Sequence, residues 1–145
     1  MKDSALNKQT ASGTNTGSEV SSGKWTEIAL TVGETVIPAV LNDSRSSKEL
    51  IARLPYTVRL QKYDHDYCGL MKKPLSYEKK DLRNGWRNGD IAFAADGNYF
   101  AILYKDEEIS QQFGNLVTLG KINGPASIMD TLAADISVTI ETTKS

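Results

Sequence analysis

NGDIAFAADGNYFAILYK, Asn88 to Lys105, decides how the rest of the chain is read. Two apolar runs, Ile91 to Ala95 and Asn98 to Tyr104, flank Asp96-Gly97. An Asp-Gly pair between strand-like runs signals a hairpin, because a type I′ turn needs positive φ at both central residues. A turn of only Asp96 and Gly97 sets Phe93 opposite Phe100 and Ile91 opposite Ile102. Ile91, Phe93, Phe100 and Ile102 then share one face, and Ala92, Ala94, Tyr99, Ala101 and Leu103 share the other. Both faces are apolar, so both are expected to be covered, as in a central hairpin of a barrel or sandwich.

Alternation of period two recurs outward from this hairpin. Upstream, Ile28, Leu30 and Val32 alternate with Glu27, Ala29 and Thr31; Gly33-Glu34 turns the chain, and Thr35 to Leu41 returns. Ser46 with Glu49 fits a capping box for a helix whose apolar side is Leu50, Ile51 and Leu54, and Pro55 ends it. Tyr56, Val58 and Leu60 make a third strand. Tyr63 to Asp90 is the least regular region, with a short strand at Tyr67 to Leu70 and then loop punctuated by Pro74, Asn84-Gly85 and Asn88-Gly89. Downstream, Lys105 to Gly114 reads as a polar connection and Leu116 to Ile122 as a strand, with Gly120 at a bulge or close approach. Asn123-Gly124-Pro125 opens a second helix, and Ile136, Val138 and Ile140 define a last strand with one wet face. The sum is seven or eight strands, two short helices and no βαβ rhythm. This is a mainly β chain, best solved as a closed antiparallel barrel capped by helices.

Composition narrows the function classes. The chain has 145 residues, 39% of them hydrophobic, and a net charge of −1, enough for one domain with a real core. Near-neutral charge argues against nucleic acid as the main partner. Lys79, Lys80, Arg83 and Arg87 are interrupted by Glu78 and Asp81 and read as a solvated loop rather than a phosphate site. One cysteine, Cys68, excludes an internal disulfide. No run is long enough to span a bilayer, and Met1-Lys2 precedes no apolar signal core. Ser, Thr, Gly and Asn supply 13 of the first 24 residues, so residues 1–24 are expected to form a disordered tail or tether before a barrel domain at 25–145. A tether would suit an extracytoplasmic lipoprotein whose signal has been removed; the alternative is a cytoplasmic protein. The domain is expected to be a monomer.

No catalytic pattern is complete. Asp64, His65, Asp66 and Cys68 crowd together, but an extended run places His65 opposite the others, and mixed hard and soft ligands make a poor specific site. No metal and no cofactor are therefore expected. The same geometry denies His65 and Cys68 a nucleophile–base contact. There is no phosphate loop and no dinucleotide fingerprint.

The order of elements and three strings resemble the cyclophilin-like barrel. LVTLGKINGPASIMDTL (Leu116 to Leu132) looks like its strand, Gly-Lys turn and helix. NGDIAFAADGNYFAILYK looks like its central hairpin, and ISVTIE (Ile136 to Glu141) like its closing strand, which pairs with the first. The likeness is closer to the bacterial branch of cyclophilin-like domains. Trp86, Gly89-Asp90, Tyr104-Lys105, Leu119-Gly120-Lys121-Ile122 and Leu54-Pro55 follow that branch's order, from Trp25 to about Thr142.

The resemblance implies an eight-stranded barrel closed by two helices; fold alone does not carry activity. True cyclophilins polarise a prolyl amide with a strand-borne Arg, a role that would fall to Arg59, beside an aromatic pocket. Here Tyr99-Phe100-Ala101 stands where Gln-Phe-Phe is expected, Leu116 stands for the pocket His, and no Trp lies near Gln111 to Gly114. The expectation is thus a non-catalytic module that binds a small molecule, peptide or protein in a groove beside the hairpin. Its site would draw on Arg59, Trp86, Tyr99, Phe100 and Ala101. The alternatives are a divergent prolyl isomerase using Arg59, and a helper for a redox or flavodoxin-like partner, since relatives of this branch occur beside such proteins.

Overall fold

The computed structural model describes residues 25–143; the expected tail at 1–24 lies outside them. Among the described residues there are nine strands, eight where period-two patterning was read and the fifth in the loop: β1 (Thr26–Val32), β2 (Thr35–Leu41), β3 (Tyr56–Lys62), β4 (Asp66–Leu70), β5 (Leu82–Arg83), β6 (Asp90–Ala94), β7 (Tyr99–Leu103), β8 (Leu116–Ile122) and β9 (Asp135–Thr142). Their order is β2-β1-β9-β3-β4-β7-β6-β8-β5, and every pair is antiparallel. Pairing of β2 with β8 (Ala39 with Ile122, Leu41 with Gly120) closes eight of them into a barrel. β5 lies outside the closed ring, on the first half of β8 (Leu82 with Val117, Arg83 with Leu116), where β2 does not reach. Closure removes the free edges that an open sheet would expose.

The hairpin behaves as its alternation requires. Phe93 faces Phe100 and Ile91 faces Ile102, and all four are at most 1% exposed. They share one core with Ile28, Leu30, Val58, Leu60, Val117 and Val138, closed over by Leu50 of the helix α1 (Arg45–Ala52) and by Met129. Tyr67, fully buried, donates its hydroxyl to the carbonyls of Leu132 and Ala133 at 3.0 and 2.6 Å, which ties β4 to the segment entering β9.

Several local expectations give way. The hairpin connection is not a two-residue type I′ turn. Ala95 to Asn98 form it: the Gly97 amide donates to the Ala94 carbonyl, and the left-handed residue is Asn98 (φ 60°), not Gly97. Asn tolerates that conformation because its side chain is short and polar. The cap of α1 is Ser44 rather than Ser46; its hydroxyl accepts the Ser47 amide. Ser46 is instead buried and donates to the Ser76 carbonyl, while Glu49 accepts the Ser76 amide and pairs with Arg53. The second helix is a 3₁₀ segment, Ala126–Thr131. Two more 3₁₀ segments, Lys79–Asp81 and Glu107–Gln112, occur where only loop was expected.

Gly120 is a close-approach point, as expected. The β6–β8 register shifts between Ile91 and Ala92, opposite Gly120 and Thr118. A Cβ on Gly120 would collide with the Val40 backbone carbonyl.

Candidate functional site

The outward face of the β6–β7 hairpin is built from small side chains. Ala92 pairs with Ala101 across it, which leaves a shallow floor that a large ring can cover. Trp86 does so: it is 9% exposed and packs with Ala92, Ala101, Leu103 and Leu116 in a second apolar cluster outside the barrel. Its ring Nε1 donates to the Lys105 carbonyl at 3.0 Å. Its backbone is held from both sides by the buried Ser110 hydroxyl, which accepts the Trp86 amide at 3.0 Å and lies 3.2 Å from the Trp86 carbonyl. His65 and Phe113 stack beside the indole with centroids 5.9 and 5.5 Å away. Trp86 is therefore a lid over the hairpin rather than an open platform for a ligand.

Beyond the lid the same face is open. Leu70 pairs with Tyr99, and the β3–β4 register (Gln61 with Cys68) sets Arg59 beside Leu70 in the next step. β3 and β4 come close together there: a Cβ on Gly69 would strike the Arg59 carbonyl. Leu70 is 60% and Tyr99 42% exposed. Arg59 is well exposed too and makes a forked contact with Asp135, at 3.3 Å from Nε and 2.9 Å from Nη2. An ion pair so open to solvent holds the guanidinium loosely. Arg59 and Tyr99, two strands apart, stand roughly 10 Å from one another.

Of the five residues singled out from sequence, the structure thus brings Arg59 and Tyr99 to one exposed row. Ala101 and Trp86 form the covered floor and lid next to it. Phe100 points into the barrel core at 1% exposure, where a ligand on the outer surface does not reach it.

Where β4 begins, His65 does not sit opposite Asp66, because it precedes the strand and escapes its alternation. Its Nδ1 donates to the Asp106 carboxylate at 2.7 Å. Burial raises the neighbouring Asp66 carboxyl from 3.8 to about 6, with the His65 charge and a Cys68 hydrogen bond opposing the rise. Burial, and then the Asp66 charge, push the Cys68 thiol up to about 12. A nucleophilic cysteine needs the opposite shift, so this corner holds a weakly donating thiol rather than a reactive one. Among the described residues no group of three or more His, Cys, Asp or Glu is placed to hold a metal ion. No helix among them is long and apolar enough to cross a membrane.

Among the described residues two hollows stand out. One, of about 560 Å³, sits between the start of α1 and the Glu78–Asp81 turn and is lined by Asp43, Arg45 and Lys48 from the first and Glu78, Lys80 and Asp81 from the second. The other, of about 300 Å³, lies on the far side of Trp86 and is lined by Arg83, Arg87, Asp90, Gln111 and Thr118 among others. The basic run at 79–87 was therefore only half legible. Lys80 is solvated and pairs with Glu78 and Asp81, but Arg83 and Arg87 line a cavity. Two Asn-Gly turns around a Trp flanked by arginines were the signal available for it.

The family model described as "Cyclophilin-like family" matches residues 30–141. A search of curated proteins finds no match. Among solved structures, the chain is similar to a hypothetical protein from Archaeoglobus fulgidus determined in solution. The TM-score is 0.64 at 13% identity, over 83% of this chain and 96% of that one. That likeness speaks to fold alone.

Proposed function

The chain belongs to the cyclophilin-like family, and within it we propose a non-catalytic module that binds an extended peptide segment of a protein partner on the outer face of its central hairpin. The observation that carries this reading is the row Arg59, Leu70 and Tyr99. Two large apolar side chains stand 60% and 42% exposed on neighbouring central strands, with a cation next to them. An aliphatic and an aromatic surface beside a guanidinium suit a segment presenting an apolar and an acidic side chain, the aromatic serving as the rigid anchor.

Catalysis on proline is the weaker reading for a physical reason. A prolyl ring needs an apolar pocket next to the polarising Arg, and the position that would supply it is Ala101, 2% exposed and roofed by Trp86. Two assays separate the readings. The full chain is expected to leave cis/trans exchange of a short Xaa-Pro peptide at its uncatalysed rate; acceleration abolished by Arg59→Ala would overturn the binding reading in favour of an isomerase. Panning a random peptide library on the immobilised chain is expected to select sequences whose binding is lost in Leu70→Ser and Tyr99→Ser. Selected peptides indifferent to both substitutions would overturn the site.

A further inference from the structure

The 300 Å³ hollow behind Trp86 has a construction that the hairpin face does not need. Its wall is the irregular stretch 84–88, stapled to the 3₁₀ segment Glu107–Gln112 by a dense set of polar contacts. The Gly85 amide donates to the Phe113 carbonyl at 2.9 Å, and the Trp86 amide to the Ser110 hydroxyl at 3.0 Å. The Asn88 amide reaches Glu107 Oε1 at 2.7 Å, and the Glu107 amide returns to Asn88 Oδ1 at 3.1 Å. Gln111 Nε2 donates to the Asn84 carbonyl at 3.4 Å. Gly85 has φ +84°, and a Cβ there would strike the Gln111 amide and the Ser110 hydroxyl. Loops without a task are seldom fixed so thoroughly, because each staple must offset the entropy of ordering the chain.

Arg83, at the end of β5, and Arg87, in the wall itself, both line the hollow. Neither Arg83 nor Arg87 has a carboxylate within ion-pairing distance among the described residues; the ion pairs there involve Arg53, Arg59, Lys62, His65 and Lys80 instead. One carboxyl, Asp90, lines the hollow with them; it accepts the Arg87 backbone amide at 2.9 Å, and Arg87, Arg83 and Lys121, its partner across the sheet, all act on its charge. Three cations act on one carboxylate here, so the hollow keeps a net positive charge that favours an anion. A planar or tetrahedral oxyanion can accept parallel N–H bonds from the guanidinium forks. The volume is at the small end of the range in which proteins hold small molecules.

We propose that the Arg83–Arg87 hollow is a preformed binding site for a small organic oxyanion, a carboxylate or a phosphate. The site lies behind Trp86, away from the Arg59, Leu70 and Tyr99 row, and does not depend on what binds there. The forks supply charge and direction, while Thr118 and Gln111 offer further polar groups at its rim.

The test is an amide and arginine-side-chain chemical-shift titration of the full chain with sodium phosphate and, separately, sodium malonate, each against sodium chloride at matched ionic strength. The expected result is a saturable shift confined to residues 83–90, 111 and 118, complete below about 10 mM, with at least one of the two oxyanions and not with chloride. The stronger of the two identifies the source of the oxyanion. Arg83→Gln and Arg87→Gln, both at exposed side chains, are expected to keep the dispersed spectrum and weaken binding at least about tenfold. Arg87→Lys, which keeps the charge but not the fork, should fall between, and Arg59→Gln should change nothing. Shifts that follow ionic strength alone, absence of saturation with both oxyanions, or parental affinity in both Gln variants would each overturn the proposal.

Discussion

Asp66 makes the outer face of this barrel titrate in the sense opposite to an ion-paired surface carboxylate. Burial raises its carboxyl from 3.8 to about 6, against the pull of His65 and Cys68. A carboxyl whose folded value lies above its unfolded one holds more protons in the folded state. Its contribution is therefore best at low pH and is lost as pH rises from about 4 through about 6. At about 1.36 kcal/mol per pH unit, the separation corresponds to at most ~3 kcal/mol. The group is partly open to solvent, and screening reduces this to ~1–2 kcal/mol. Asp66→Asn abolishes the titration. Urea unfolding of parent and variant between about pH 4 and 7.5 should show the variant gaining ~1–2 kcal/mol relative to the parent as pH rises, levelling off above about pH 7. Taking the difference cancels the other titrating groups: Glu49, lowered mainly by the Ser76 amide, and Asp90, raised by burial, are present in both proteins. The loss of the Cys68 contact adds only a constant offset. A difference that stays flat with pH, or widens toward acid, would refute a buried, proton-retaining Asp66.

Trp86→Ala should cost ~3–5 kcal/mol in urea unfolding, because it uncovers Ala92, Ala101 and Leu103, whereas Trp86→Phe should cost ~1–2 kcal/mol through the lost bond to Lys105 and some packing. Tyr67→Phe should cost ~1–2 kcal/mol by leaving the Leu132 and Ala133 carbonyls without a donor; calorimetry would detect the lowered melting temperature. Asn98→Gly should be neutral or stabilising by up to ~1 kcal/mol, and Asn98→Val destabilising by ~1 kcal/mol or more, since φ there is 60°. Equal midpoints for these two variants in chemical denaturation would contradict the left-handed assignment.

The fold was legible wherever burial imposes a period. The pairing of Phe93 with Phe100 follows from alternation and the length of the connection, and the outward placing of Arg59 and Tyr99 follows from the same rule. Local chemistry was less legible because neighbours outside the window decide it. SRSSKEL offers three serines as caps, and Asn42 selects among them: its Oδ1 accepts both the Ser44 amide and the Ser47 hydroxyl. The left-handed residue of the hairpin fell on Asn98 because the connection has four residues, and Asn competes with Gly for that conformation. The hollow behind Trp86 was marked in the sequence only by two Asn-Gly turns around a Trp flanked by arginines. It depends on stretch 84–88 meeting Glu107–Gln112 through Ser110, a small polar residue that no periodicity marks. Trp86, named from sequence as a binding-site residue, covers the hairpin instead, since the small Ala92 and Ala101 leave room for its ring.

The most direct test of the binding reading is a chemical-shift map of the full chain with a peptide chosen by panning. Saturable shifts are expected at residues 59–61, 68–70 and 99–101, with broadening of the Tyr99 ring signals, no acceleration of prolyl exchange in the bound peptide, and loss of the effect in Tyr99→Ser. Shifts centred on the Arg83–Arg87 hollow or the α1 end, with the Leu70 and Tyr99 amides unmoved, would contradict it.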